Sequence, residues 1–178
     1  MAESKIYHER QSRELCALHA LNNIFQAETY FQAELNDICH SLSPDTWVNP
    51  HKSMLGLGNY DINVITAALN TRQMGIVWFD KRKDPRSVKI NKLEGCILNV
   101  PNDWRIGWVS LPMNRKHWIA FKKINGKWIN LDSKLKEPEI IGSDDDFYDF
   151  LGKNLKEGTK ELFLVVKQSI QDDDSWRQ

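Results

Sequence analysis

At 178 residues, 41% hydrophobic and 27% charged, the chain is long enough to bury a core of its own and has the size of one ordinary domain, which excludes a miniprotein dependent on staples. Its 24 basic side chains equal its 24 acidic ones, so overall charge recommends neither nucleic acid nor an anionic membrane as partner. No window of 18 apolar residues exists, the start Met1-Ala2-Glu3-Ser4-Lys5 is polar, and three scattered cysteines make no disulfide framework, so free thiols in a cytosolic compartment are expected, with the nucleus also open.

Along the chain, Ala17, Leu18, Leu21, Ile24 and Phe25 recur at helical spacing over residues 14–25, and Leu35, Ile38 and Cys39 do so over 31–42. Residues 43–60 combine prolines, glycines and asparagines without a period and read as a long loop. Asp61 then caps a predicted helix carrying Ile62, Ile65, Ala68 and Leu69. The second half changes to short apolar or β-branched runs at 76–79, 96–100, 108–111, 117–124, 127–131 and 162–166, six predicted strands. One helix interrupts them: Asp144, Asp145 and Asp146 place negative charge at its start, and Phe147, Phe150, Leu151 and Leu155 follow at helical spacing. Helices first and a mostly antiparallel sheet afterwards predict an α+β fold. Residues 1–168 read as a single domain, and the polar residues 169–178 as a frayed tail.

Asn125-Gly126 lies between two strand runs and suits a type I′ turn, which needs positive φ at both central positions. Ile124 then faces Lys127, and the same register sets Ile119 opposite Asp132 and His117 opposite Lys134. His117 and Asp132 become diagonal neighbours on one face, within reach of an imidazole–carboxylate contact.

Cys16 occupies the first turn of the first helix, where the dipole and unpaired backbone N–H groups favour the thiolate. Taken alone it reads equally as a small core residue. A nucleophilic cysteine needs a histidine to take its proton and a third group to orient that histidine, and His117 and Asp132 fit those roles. Gln11, five residues before Cys16, is placed to donate to a developing oxyanion together with the Cys16 N–H. His19, one turn beyond Cys16, is a rival base that points partly past the thiol and reads better as a supporting interior residue. His8, His40 and His51 carry no partner pattern and read as structural or surface residues. The spacing of Cys16, His19, Cys39 and His40 does not suit one metal, and no cofactor is implied. Of the seven tryptophans most should be core, and any left exposed beside the cleft would anchor a protein substrate.

Tyr7-His8-Glu9-Arg10-Gln11, Leu15-Cys16-Ala17-Leu18-His19-Ala20-Leu21-Asn22-Asn23, Asn59-Tyr60-Asp61, His117-Trp118 and Asn130-Leu131-Asp132-Ser133 together resemble the Josephin domain. The resemblance runs from about Ile6 to Val166 and is similar to the short, stand-alone members of that family. It implies a papain-like α+β cysteine peptidase that removes ubiquitin, with Cys16 as nucleophile, His117 as base, Asp132 as third member and Gln11 as oxyanion-hole residue. Where some members carry Asn, this chain has Asp132. A helical-hairpin lid beside the cleft is also implied, with residues 28–50 as the matching segment. Ubiquitin and its conjugates are then the expected partners of a monomeric enzyme without nucleic-acid binding or membrane insertion. Two rivals stand beside this reading: a ubiquitin-binding module with weak or switched-off catalysis, and an acyltransferase acting on small thioesters through the same triad.

Overall fold

The computed structural model describes residues 5–11, 15–43, 60–101, 104–106, 109–111 and 116–178, the two short pieces at 104–106 and 109–111 by their backbone. Three helices come first: α1 (Cys16–Phe25), α2 (Gln32–Leu42) and α3 (Ile62–Asn70). Helix α3 starts where Asp61 accepts hydrogen bonds from the Asn63 and Val64 N–H groups, as the cap signal implies. Residues 44–59, which hold most of the expected loop and the far end of the expected lid, lie outside the described residues.

The strands follow as β1 (Met74–Phe79), β2 (Leu93–Pro101), β3 (Trp104–Ile106), β4 (Val109–Leu111), β5 (Lys116–Ile124), β6 (Lys127–Asn130) and β7 (Glu139–Gly142). Helix α4 (Asp144–Lys156), strand β8 (Glu161–Lys167) and the short helix α5 (Gln168–Asp172) complete the chain. Six strands form one sheet in the order β1-β8-β2-β5-β6-β7, every neighbouring pair antiparallel, while β3 and β4 pair separately. The fold is therefore α+β, as expected from helices followed by strands.

Alternation along the strands splits the apolar residues into two cores, one on each face. Ile97, Trp118, Ala120, Phe163 and Val165 meet α1, α2 and α3; Cys96, Leu98, Phe121, Leu162 and Leu164 meet α4. A central strand covered on both faces explains why residues 95–99 are all buried. Helix α1 presses so closely on the sheet that a Cβ at Gly95 would overlap the Ile24 side chain. On the other face, Trp128 and Phe147 stack with ring centroids 4.0 Å apart, and the Trp128 indole donates to Asp144 at 2.8 Å, fixing the start of α4.

The structure departs from expectation in three places. Strands β3 and β7 were not predicted; they have three and four residues, too few for a period to register. The segment expected to fray instead folds back: Trp176 is buried, its carbonyl accepts from Lys89 N–H at 2.7 Å, and Gln178 N–H donates to Ser87 at 2.9 Å. One aromatic side chain supplies the apolar anchor that an otherwise polar stretch lacks. The hairpin register is as predicted from Ile124↔Lys127 to Phe121↔Asn130, with Asn125 and Gly126 both at positive φ, and ends with the Leu131 N–H donating to the Ala120 carbonyl at 2.9 Å, so Asp132 lies just beyond the ladder in a loop.

Candidate active site

Cys16 is the first residue of α1 and is 5% exposed. Burial pushes its thiol pKa up; the backbone N–H groups of Trp118, Ala17 and Cys16 itself, with the charge of Lys134, pull it down by less. The backbone N–H groups at the helix start therefore do favour the thiolate, as read, and burial opposes them. Strand β6 ends at Asn130, so the part of β5 around Trp118 has no β6 partner, and its N–H meets the Cys16 sulfur. All three cysteines are free and buried.

His117, next to Trp118 on β5, is 2% exposed. Its Nε2 lies 2.6 Å from Asp132 Oδ1. A carboxylate only accepts, so Nε2 carries the hydrogen and Nδ1 is the nitrogen left for the thiol side. The contact predicted from the hairpin is present, although the loop after β6 delivers it rather than a continued register. Burial alone would raise the Asp132 carboxyl, but hydrogen bonds from His117 and the Lys134 N–H, with the charges of both residues, hold it below its usual value.

Gln11 is brought to the same place, its N–H donating to the Ser133 carbonyl at 2.7 Å. His19 is buried and directs Nδ1 to Glu9 Oε2 at 2.7 Å, so its ring supports the N-terminal segment, as read. Glu9 also accepts from Tyr7 OH and from Asn22 Nδ2 at 2.9 Å. Burial raises its carboxyl pKa and the bonds from His19, Tyr7 and Asn22 more than reverse that. Sequence reasoning singled out neither Glu9 nor Asn23, whose Nδ2 holds the Leu131 carbonyl at 2.9 Å. It also left His8 without a partner, whereas His8 Nε2 lies 3.0 Å from the Asp132 carbonyl. These contacts join residues far apart in the chain and leave no local pattern. His40 is exposed as expected, and His51 lies outside the described residues.

A groove of about 360 Å³ is lined by Tyr60, Ile62, Trp78, Phe163 and, from β5, Lys116 and Trp118, the chain neighbours of His117. Trp78 is 67% exposed, its ring 5.9 Å from Phe163, which in turn lies 5.9 Å from Trp118. Trp118, Trp128 and Trp176 are buried, so Trp78 alone among the described tryptophan side chains is open to a partner. The side chains of Trp47, Trp104 and Trp108 lie outside those described. Among the described residues, no three His, Cys, Asp or Glu side chains are grouped to hold a metal ion, and no helix is long and apolar enough to cross a membrane.

The sequence pattern of the Josephin family matches residues 11–166. A "Josephin-like protein" of Drosophila melanogaster is 48% identical over 165 residues, covering 92% of this chain and 74% of the relative. Human "Josephin-2" is 44% identical over 171 residues, covering 96% of this chain and 91% of the relative. "Ataxin-3" of Gallus gallus is 30% identical over 175 residues, which is 94% of this chain and 46% of that longer protein.

Proposed function

The chain belongs to the Josephin family, and from that premise we propose that it is a cysteine deubiquitinase, cleaving the bond after the C-terminal glycine of ubiquitin. The observation that carries the reading is the 2.6 Å bond from His117 to Asp132, on the strand whose next N–H meets the Cys16 sulfur. That arrangement supplies a nucleophile, a base and an orienting group in one place.

In the proposed reaction the Cys16 sulfur attacks the glycine carbonyl carbon while its proton passes to His117 Nδ1. The C–N bond then breaks, the amine leaving with the proton from His117. Water, deprotonated by His117, attacks the thioester and releases the ubiquitin carboxylate and the Cys16 thiol. Asp132 stabilises the imidazolium formed in each half. The Gln11 side-chain amide and the Cys16 N–H donate to the oxyanion. Proton transfer to His117 accompanies the attack. The Trp78 platform supports docking of a folded protein beside the cleft, since contacts with a short tail alone would not select ubiquitin.

A second reading is a ubiquitin-binding module whose catalysis is weak because its site is imperfectly assembled. Incubation with ubiquitin bearing a C-terminal electrophile, read by intact mass, separates the two. One added ubiquitin on the wild type, lost in Cys16→Ala and much slowed in His117→Ala, is the outcome expected of the enzyme. A folded wild type that binds ubiquitin without forming the adduct would favour the module.

A further inference from the structure

We propose that His8 is a positioning residue for this reaction, its Nε2–H held by the main-chain carbonyl of Asp132 so that the Asp132 carboxylate stays aimed at His117. The kinetic consequence rests on the deubiquitinase reading; the positioning itself does not.

Asp132 follows the end of β6, so no sheet ladder holds it. Three successive carbonyls of its loop are held instead by groups from the N-terminal half of the chain. Leu131 accepts from Asn23 Nδ2 at 2.9 Å, Asp132 meets His8 Nε2 at 3.0 Å, and Ser133 accepts from Gln11 N–H at 2.7 Å. Of these donors His8 alone touches the triad residue itself. A carbonyl oxygen only accepts, so the hydrogen sits on His8 Nε2, and the bond forms with the neutral ring in that tautomer or with the imidazolium. The ring is placed in advance by both neighbours: Tyr7 exchanges two 3.1 Å bonds with the Gln26 side chain, and Glu9 N–H donates to Asn23 Oδ1 at 2.7 Å. The Asp132 carboxylate meanwhile takes the Lys134 N–H at 2.9 Å and the Asp132 N–H donates to Asn130 at 3.0 Å, so a shift of this carbonyl turns the whole residue. Misplacing a catalytic group by about 1 Å costs on the order of a hundredfold in rate, and an Asp132 carbonyl that loses His8 and keeps only the local Leu135 N–H bond at 2.9 Å should lose part of that.

The test uses the full chain with His8→Ala, His8→Phe and His8→Gln. Phe keeps the bulk of the ring without its donor and stands in if the Ala variant does not fold; Gln keeps an Nε2 donor at similar reach. With a ubiquitin conjugate as substrate, Ala and Phe should lower kcat roughly tenfold with KM within about twofold, and Gln should recover most of the loss. Independently of turnover, NMR of protein labelled with 15N-histidine should show the His117 Nε2–H resonance shifted or exchanging faster in Ala and Phe but not in Gln. Wild-type kcat together with an unchanged His117 resonance in Ala or Phe would overturn the proposal, as would equal losses in Gln. If the wild type itself fails to cleave, the deubiquitinase reading falls, and the resonance alone decides the role of His8.

Discussion

At the scale of single residues, burial and hydrogen bonding oppose each other at the candidate site. Three backbone N–H groups favour the Cys16 thiolate, yet a residue only 5% exposed loses more through desolvation. At Asp132 the balance is reversed, because a partner at 2.6 Å and a backbone donor outweigh its burial. The place of Cys16 and the contact of His117 with Asp132 were legible in the sequence because a helix start and an Asn-Gly hairpin are local signals. The contacts of His8, Glu9 and Asn23 were not, since each joins segments separated by ten or more residues with no period between them. Asp132 lends itself to a decisive substitution. Asn keeps an oxygen that accepts the His117 Nε2–H but loses the charge that stabilises the imidazolium. Asp132→Asn should therefore lower kcat/KM by about tenfold and Asp132→Ala by about a hundredfold or more, roughly 1.4 and 2.7 kcal/mol of barrier. Steady-state cleavage of a ubiquitin conjugate checks this, and an Asn variant as slow as Ala would assign the effect to charge rather than orientation.

At the scale of elements, long periods and caps were legible and short or singly anchored pieces were not. Helix α4 shows the first case in its acidic start and apolar stripe, to which the structure adds a capping box: Ser143 accepts from the Asp146 N–H and Asp146 accepts from the Ser143 N–H. Ser143→Ala should cost about 1 kcal/mol in urea unfolding, and it should leave the site untouched because α4 packs on the opposite face of the sheet from α1. The chain end shows the second case. Polar composition argued for fraying, but composition counts residues, and one buried Trp176 with two backbone bonds to the 87–89 segment is enough to dock the last turn. Trp176→Ala should lower stability by about 3 kcal/mol and expose the end to limited proteolysis. A variant as stable and as resistant as wild type would return the segment to a frayed tail.

At the scale of the whole molecule, one sheet separates two cores, and the candidate site lies where the N-terminal segment closes over the end of the sheet that α1 covers. The seam there is polar: Glu9 and Asp132 are largely buried carboxylates, their side chains 17% and 16% exposed, each held by a histidine. Hydrogen bonding holds both groups below their usual values. A carboxyl whose pKa is lowered by folding contributes stability above its unfolded value, and that contribution disappears as pH falls through the folded one. Stability should hold near neutrality and decline on acidification below about pH 5. Asp80, Asp144, Asp146 and Asp173 are also lowered, but they are more open to solvent, whose screening leaves little contribution. The seam should therefore dominate the acid slope. Glu9→Gln keeps an acceptor for Asn22 and removes the charge opposite His19, so it should cost about 1–3 kcal/mol at pH 7 and flatten the decline between pH 5 and 3. Urea unfolding of both proteins across that range measures the difference, and parallel curves would place the acid sensitivity elsewhere. If the curves converge at low pH, the N-terminal segment that carries Gln11 and His8 is attached to helix α1 through ionised Glu9, and acid should release it together with the geometry of the site.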